Sequence, residues 1–216
     1  DVVAAMLGEF ASKDAIETAR HQLGLDVPLP LQYLRWLQGL VTGNLGMSYF
    51  QRKAVLTLIL QAFKYTFVMA IAAYTIAIVI GLLFGVLAAV YHNRIIDRIL
   101  MSLSIFGISA PSFWIAIILQ IFVGLKLGWF PVSGVKSAVW WVLPSFSLGI
   151  RSAASIARVT RTSMLEVMKQ DYIRTAFAKG ISYPRIIFFH AFRNALIPIM
   201  TILGNDFGLL LTGSMI

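Results

Sequence analysis

The chain has 216 residues, 59% of them hydrophobic and 12% charged, with a mean hydropathy of +0.82. Soluble domains carry about 25% charged residues, so the composition excludes an ordinary soluble globular protein and describes an integral membrane protein. The net charge of +9 does not indicate nucleic acid, because the basic residues lie between apolar runs, and the lack of cysteine excludes disulfides and thiolate metal sites.

Residues 1–64 form a polar segment in which six basic residues nearly balance five acids. Two apolar runs follow, residues 65–91 and 99–125, each 27 residues without a charge. At about 1.5 Å per residue, either exceeds a hydrocarbon core of about 30 Å. Pro111, coming after Gly107 and Ser109, predicts a kink where the helix loses a hydrogen bond. Further spans are expected at 139–157, carrying Arg151, and at 194–216, carrying Asp206. The last run stops at Ile216 without a polar flank, so the chain is expected to be a fragment lacking at least one C-terminal segment.

Lysine and arginine set the expected orientation. Residues 158–193 hold seven of them, Arg158, Arg161, Lys169, Arg174, Lys179, Arg185 and Arg193, against Glu166 and Asp171. The loop 92–98 adds Arg94 and Arg98 against Asp97, and both loops are expected to be cytoplasmic. The loop 126–138, with only Lys126 and Lys136, and the N-terminal segment then face outward. Trp129, Trp140 and Trp141 fit an aromatic belt at that outer interface.

Within the basic loop, Ser163 and Glu166 have capping-box spacing, and Met164, Leu165, Met168, Tyr172, Ala176 and Phe177 fall roughly on one helical face. Gly180 suits a left-handed C-cap, and Ser182 with Pro184 suits the start of a second helix that re-enters the membrane at Asn194. The expectation is a helix, a glycine turn and a helix projecting into water. Two readings of it stay open: an interfacial connector, or a knob that docks into a groove on a soluble partner.

The stretch DYIRTAFAKG (171–180), followed by HAFRNALIPIMT (190–201), resembles the cytoplasmic EAA loop of permease subunits of ABC importers. The acidic-Ala-Ala of the general motif is replaced here by Arg174, Thr175 and Ala176, and the interval from Gly180 to Pro198 is longer than in the sugar branch. Both departures resemble the dipeptide, oligopeptide and nickel branch. Residues 23–49 and 143–168 are similar to the same branch, so the likeness covers nearly the whole chain.

That resemblance implies an all-α integral membrane fold, the type I ABC importer permease bundle, here with about four of six spans. The first span would precede Asp1 and the sixth would follow Ile216. Residues 1–64 would be an extracytoplasmic segment leading into the membrane, and 65–216 the permease domain with a cytoplasmic coupling loop at 158–193. The implied partners are a homologous second permease, two ATPase subunits, an extracytoplasmic solute-binding protein and membrane lipid, in a bacterial inner membrane. No cofactor would be bound by this chain, because ATP and Mg belong to the ATPases; no G-x-x-x-x-G-K-[ST] loop is present. The resemblance assigns ATPase coupling to Glu166, Asp171, Tyr172, Arg174, Thr175, Ala176, Phe177, Ala178, Lys179 and Gly180.

Two ionisable residues fall inside expected spans. A charge at mid-span disfavours insertion by roughly 2.5–3.5 kcal/mol and usually faces a polar interior. Counted from Arg158 and Asn194, Arg151 lies about 10 Å deep and Asp206 about 18 Å deep, within reach of an extended arginine. Arg151, Asn205 and Asp206 are therefore candidates for the translocation pathway, against an internal ion pair or a snorkelling arginine. A passive channel or structural membrane protein remains the alternative class. A membrane enzyme fits less well, since Arg151 with Asp206 is a poor set for acid-base chemistry, and His21, His92 and His190 are too scattered for a metal site.

Overall fold

The computed structural model describes residues 3, 7, 12–48, 50–134 and 137–212, and the chain divides into two compact units, residues 1–65 and 66–216. Lys136, Tyr49 and the terminal residues 213–216, each part of an expectation above, lie outside the described residues. Among the described residues the regular structure is helical, apart from one antiparallel bridge between Met47 and Ala54.

In the first unit, α1 (Lys13–Gln22) begins at Ser12, whose hydroxyl accepts from the Ala15 N–H at 3.3 Å. Asp14 stands in its first turn and Arg20 and His21 in its last, the order that the helix dipole favours. Helix α2 (Leu29–Val41) carries Pro30 in its first turn, and the Gln32 side chain donates to the carbonyls of Leu25 and Val27 at 3.2 and 2.8 Å. Leu29, Tyr33, Leu34 and Trp36 on this helix remain exposed.

Helix α3 (Val55–Val90) is 36 residues long and extends the first expected span by ten residues toward the N-terminus. Its buried positions in the second unit are small: Ala70, Ala73, Ala77, Gly81, Gly85, Ala88 and Ala89, all but the last step three or four apart and so on one face. That face meets α6 (Val142–Met168). A Cβ on Gly81 would stand 2.7 Å from the Ile156 Cβ and 2.8 Å from the Ala153 carbonyl oxygen, and one on Gly85 would stand 2.7 Å from the Ala157 carbonyl oxygen. Two backbones approach this closely only where side chains are absent, the usual solution for helices packed in lipid.

The second apolar run is not one straight span. It forms α4 (Ile95–Ser109) and α5 (Ser112–Leu119), the latter continued by a π-helical turn Gln120–Lys126, and the two arms are bent by 108°. The kink expected at Pro111 is thus a break. Proline removes the N–H and pushes the residue before it out of the helical region, and Ala110 and Pro111 are both extended, with ψ of 133° and 137°.

Helix α6 also departs from expectation. The capping box at Ser163 and Glu166 does not form: the helix runs unbroken to Met168, and Ser163 is buried within it. The cause is its continuous inner face, in which Ile156, Ala157, Thr160, Ser163 and Met164 are all buried at helical spacing. The supposed single face from Met164 to Phe177 is accordingly split between two helices, separated by a turn at Lys169 and Gln170. Helix α7 (Asp171–Ala178) follows, then a helical turn Tyr183–Arg185, a π-helical segment Ile186–Phe192 and α8 (Arg193–Thr212), which contains Pro198.

By length and apolarity, two stretches can cross a membrane, Val55–Val90 and Tyr183–Leu210, and the bent pair α4–α5 makes a third if it is one span. The span expected at 139–157 lies largely in α6, which is 27 residues long but more polar. It packs against α4, α5 and α8 as well as α3, so protein rather than lipid surrounds much of it. A helix so enclosed can hold Ser145, Ser147 and Thr160 buried. Tyr74 fastens α3 to α8, donating to the Leu203 carbonyl at 2.8 Å while its ring packs 5.0 Å from that of Phe207.

Candidate functional site

Helix α7 is amphipathic over only eight residues. Ile173 and Ala176, three apart, are buried in the core with Ile186, Ile187 and Ala191. Asp171, Tyr172, Arg174, Thr175, Phe177, Ala178, Lys179 and Gly180 are all exposed. Ile173, absent from the sequence-based set, is the anchor, and Ala176 faces its own chain; both follow from the three-residue spacing of a helix's inner edge.

Both ends of α7 are fixed. Asp171 occupies the first turn, and Thr175 Oγ1 donates to the Asp171 carbonyl at 3.0 Å. At the other end Gly180 adopts φ +75°, the Gly180 N–H donates to the Phe177 carbonyl at 3.0 Å and the Ile181 N–H to the Ala176 carbonyl at 3.2 Å. This is a complete Schellman cap, and the glycine C-cap expected from the sequence is present. Ser182 also stands at the N-cap position of the next turn, with Pro184 inside it, but its hydroxyl makes no capping bond.

Tyr172 and Phe177, 43% and 45% exposed, present apolar area outward. Asn194, at the start of α8, donates to the Tyr172 hydroxyl at 2.9 Å, and Phe177 packs 6.1 Å from Tyr183 across the glycine turn. The helix is therefore tied directly to the base of α8. Arg174 and Asp171 make an exposed pair at 3.5 Å, worth little in stability. Glu166 is not on α7; it is exposed near the end of α6, where it lines a cavity of about 470 Å³ with Arg158 and Pro198.

A second cluster joins the loop 92–98 to α6. Arg161 donates to both oxygens of Asp97, Nε to Oδ1 at 2.6 Å and Nη2 to Oδ2 at 2.8 Å, and the Asn93 N–H adds a third bond at 2.9 Å. Asp97 is 3% exposed and lies ahead of the apolar run that starts at residue 99. The Arg161 guanidinium holds its carboxyl at about 2, below the ordinary 3.8. Arg161 Nη2 also donates to His92 Nδ1 at 3.1 Å. Sequence counting registered these groups only as loop charges, because nothing local pairs residues 64 apart.

The candidate pathway residues divide. Arg151 on α6 and Asp206 on α8 line one cavity of about 450 Å³, together with Ser112, Ser152, Ser155 and aliphatic side chains. Asn205 is exposed and is not part of that wall. An ion pair between Arg151 and Asp206, one of the alternatives to a pathway role, is not made within 4.0 Å, and Asp206 Oδ2 is buried without a hydrogen-bond partner. Among the described residues no three His, Asp or Glu side chains cluster as metal ligands.

An all-α bundle with two or three candidate membrane spans and a capped, exposed helix beside them describes a polytopic membrane protein. A family profile described as the binding-protein-dependent transport system inner membrane component matches residues 81–216, and the profile of that component's N-terminal region matches residues 1–70. Among curated proteins, the glutathione transport system permease protein GsiC of Escherichia coli O6:H1 is 39% identical over 216 residues, all of this chain and 71% of the relative. Its counterpart in E. coli K12 is 38% identical over the same extent. The counterpart in Pectobacterium atrosepticum is 38% identical over 209 residues, 97% of this chain and 68% of the relative. The chain belongs to the family of inner membrane components of binding-protein-dependent transport systems. It is an ABC importer permease of the inner membrane, a transport subunit and not an enzyme.

Proposed function

We infer that the chain forms half of the translocation pathway for a short peptide or a peptide-like solute such as glutathione, and that α7 couples it to ATP hydrolysis by partner subunits. The carrying observation is α7 itself: a helix whose only buried residues are Ile173 and Ala176, capped at Gly180 and tied to α8 through Tyr172, with its remaining side chains exposed toward a partner. Tyr172 and Phe177 supply apolar anchors, Ala178 and Gly180 allow close approach, and Asp171, Arg174 and Lys179 set register at the rim. Coupling to α8 through Asn194 gives a docked ATPase a lever on the helix that carries Asp206.

The peptide-like substrate is supported by the names of the relatives, which are glutathione permeases. In this reading a second permease, two ATPases and an extracytoplasmic binding protein complete the transporter, and ATP and Mg are held by the ATPases alone. Residues 1–64 lie outside the cell and 158–193 in the cytoplasm, in accord with the basic charge of that loop. Single cysteines placed at Lys13 and Lys179 in an otherwise cysteine-free transporter report sidedness. The deciding test is ATP-driven uptake by the complete reconstituted transporter from a panel of peptides, glutathione, nickel and oligosaccharides. Uptake of peptides or glutathione is the expected result, and uptake of nickel or sugar alone contradicts the substrate.

A further inference from the structure

Two arginines on α6 face acids on neighbouring elements, yet only one pair closes. Arg161 grips Asp97 with two hydrogen bonds. Arg151 and Asp206 line the same cavity with no contact inside 4.0 Å. In a low-dielectric setting opposite charges attract strongly, and an unmade pair leaves both groups able to bind charges on something else. Asp206 Oδ2 carries that signature most clearly, being buried and unsatisfied, when nearly all such atoms in proteins are paired.

We propose that this cavity is a recognition site for a zwitterionic short peptide, in which Asp206 takes the ammonium and Arg151 the carboxylate. The inference rests on the peptide-importer reading above and specifies the chemistry of its pathway. Ser155 on α6 offers a hydroxyl to the peptide amides, while Ser152, one turn away, lies against Asp206. Ser112 is the first residue of α5 beyond the Pro111 break, so a helix N-terminus also lies on this wall and reinforces the carboxylate pole. The volume of about 450 Å³ falls within the usual range for small-molecule sites, and its aliphatic walls suit side chains of varied sequence. The site thus reads the termini and not the side chains.

The complex of both permeases and both ATPases, purified without the binding protein, is titrated with trialanine, N-acetyl-trialanine and trialanine amide. Wild type is expected to bind trialanine at least fivefold more tightly than either blocked peptide. Asp206→Asn is expected to equalise trialanine and its acetyl derivative, and Arg151→Gln to equalise trialanine and its amide, each with unchanged thermal stability. Equal binding of all three peptides by wild type overturns the proposal, as does a preference that survives both substitutions. If the complete transporter imports peptides but this complex binds none, the site is lost while the proposed function stands. If the complete transporter imports no peptide, the proposed function itself fails and this site with it.

Discussion

Arg161 and Arg151 stand ten residues apart on one helix and do opposite things. Arg161 makes a bidentate pair with an almost fully buried Asp97, and the Asn93 backbone satisfies the same carboxylate. Its role is to fix the loop 92–98 against α6. Arg151 lines a cavity with an acid that it does not touch. A charge that is buried and paired holds the fold, whereas an exposed one beside a cavity is available to a ligand.

The comparison breaks most visibly at Arg161. Removing it strands a buried carboxylate, so Arg161→Ala is expected to lower stability by about 3 kcal/mol, read as thermal unfolding in detergent. Next comes the close contact beside it. Gly85→Leu forces side-chain atoms into Thr160 and the Ala157 carbonyl and should destabilise by about 2 kcal/mol on the same measurement. Acid sharpens the contrast. The Asp97 carboxyl is held at about 2 in the fold, below its ordinary 3.8, so its stabilisation is complete above the ordinary value and lost as pH falls toward 2. That loss is about 2 kcal/mol and should be absent in Asp97→Asn.

Smaller effects on stability follow at the two functional positions. Gly180→Val places a β-branched residue at φ +75°, which costs roughly 1–2 kcal/mol locally. Its larger consequence is expected in uptake, which should fall while ATP hydrolysis by the reconstituted transporter continues. Arg151→Gln should change stability by less than about 0.5 kcal/mol, because Arg151 is exposed and makes no ion pair within 4.0 Å. A drop as large as that of Arg161→Ala would place Arg151 among the structural charges instead.

Legibility in the sequence followed the range of the interactions. Gly180 and Pro111 act on their own backbone, so the C-cap of α7 and the interruption of the second apolar run were readable from residue type. How far the run bends was not, since 108° depends on what packs against both arms. Ser163 carried a local capping signal, but burial of the α6 face overrode it. The Arg161–Asp97 pair, 64 residues apart, left no local signal at all. Arg151 and Asp206 were readable as candidates because charges within apolar runs are conspicuous, while their shared cavity and missing contact required the packing of α6 on α8.

The role proposed for α7 is to transmit ATP hydrolysis to the pathway. Its most direct test is the ratio of ATP hydrolysed to solute accumulated in proteoliposomes holding the complete transporter, with Tyr172 and Phe177 changed together to serine. Both side chains keep part of their surface buried, but Ile173 and Ala176 still seat the helix in the core, so the fold should persist. ATPase subunits that detach, or that hydrolyse without accumulation, are expected, with the permease still intact in the membrane. An unchanged ratio with full accumulation would contradict that role.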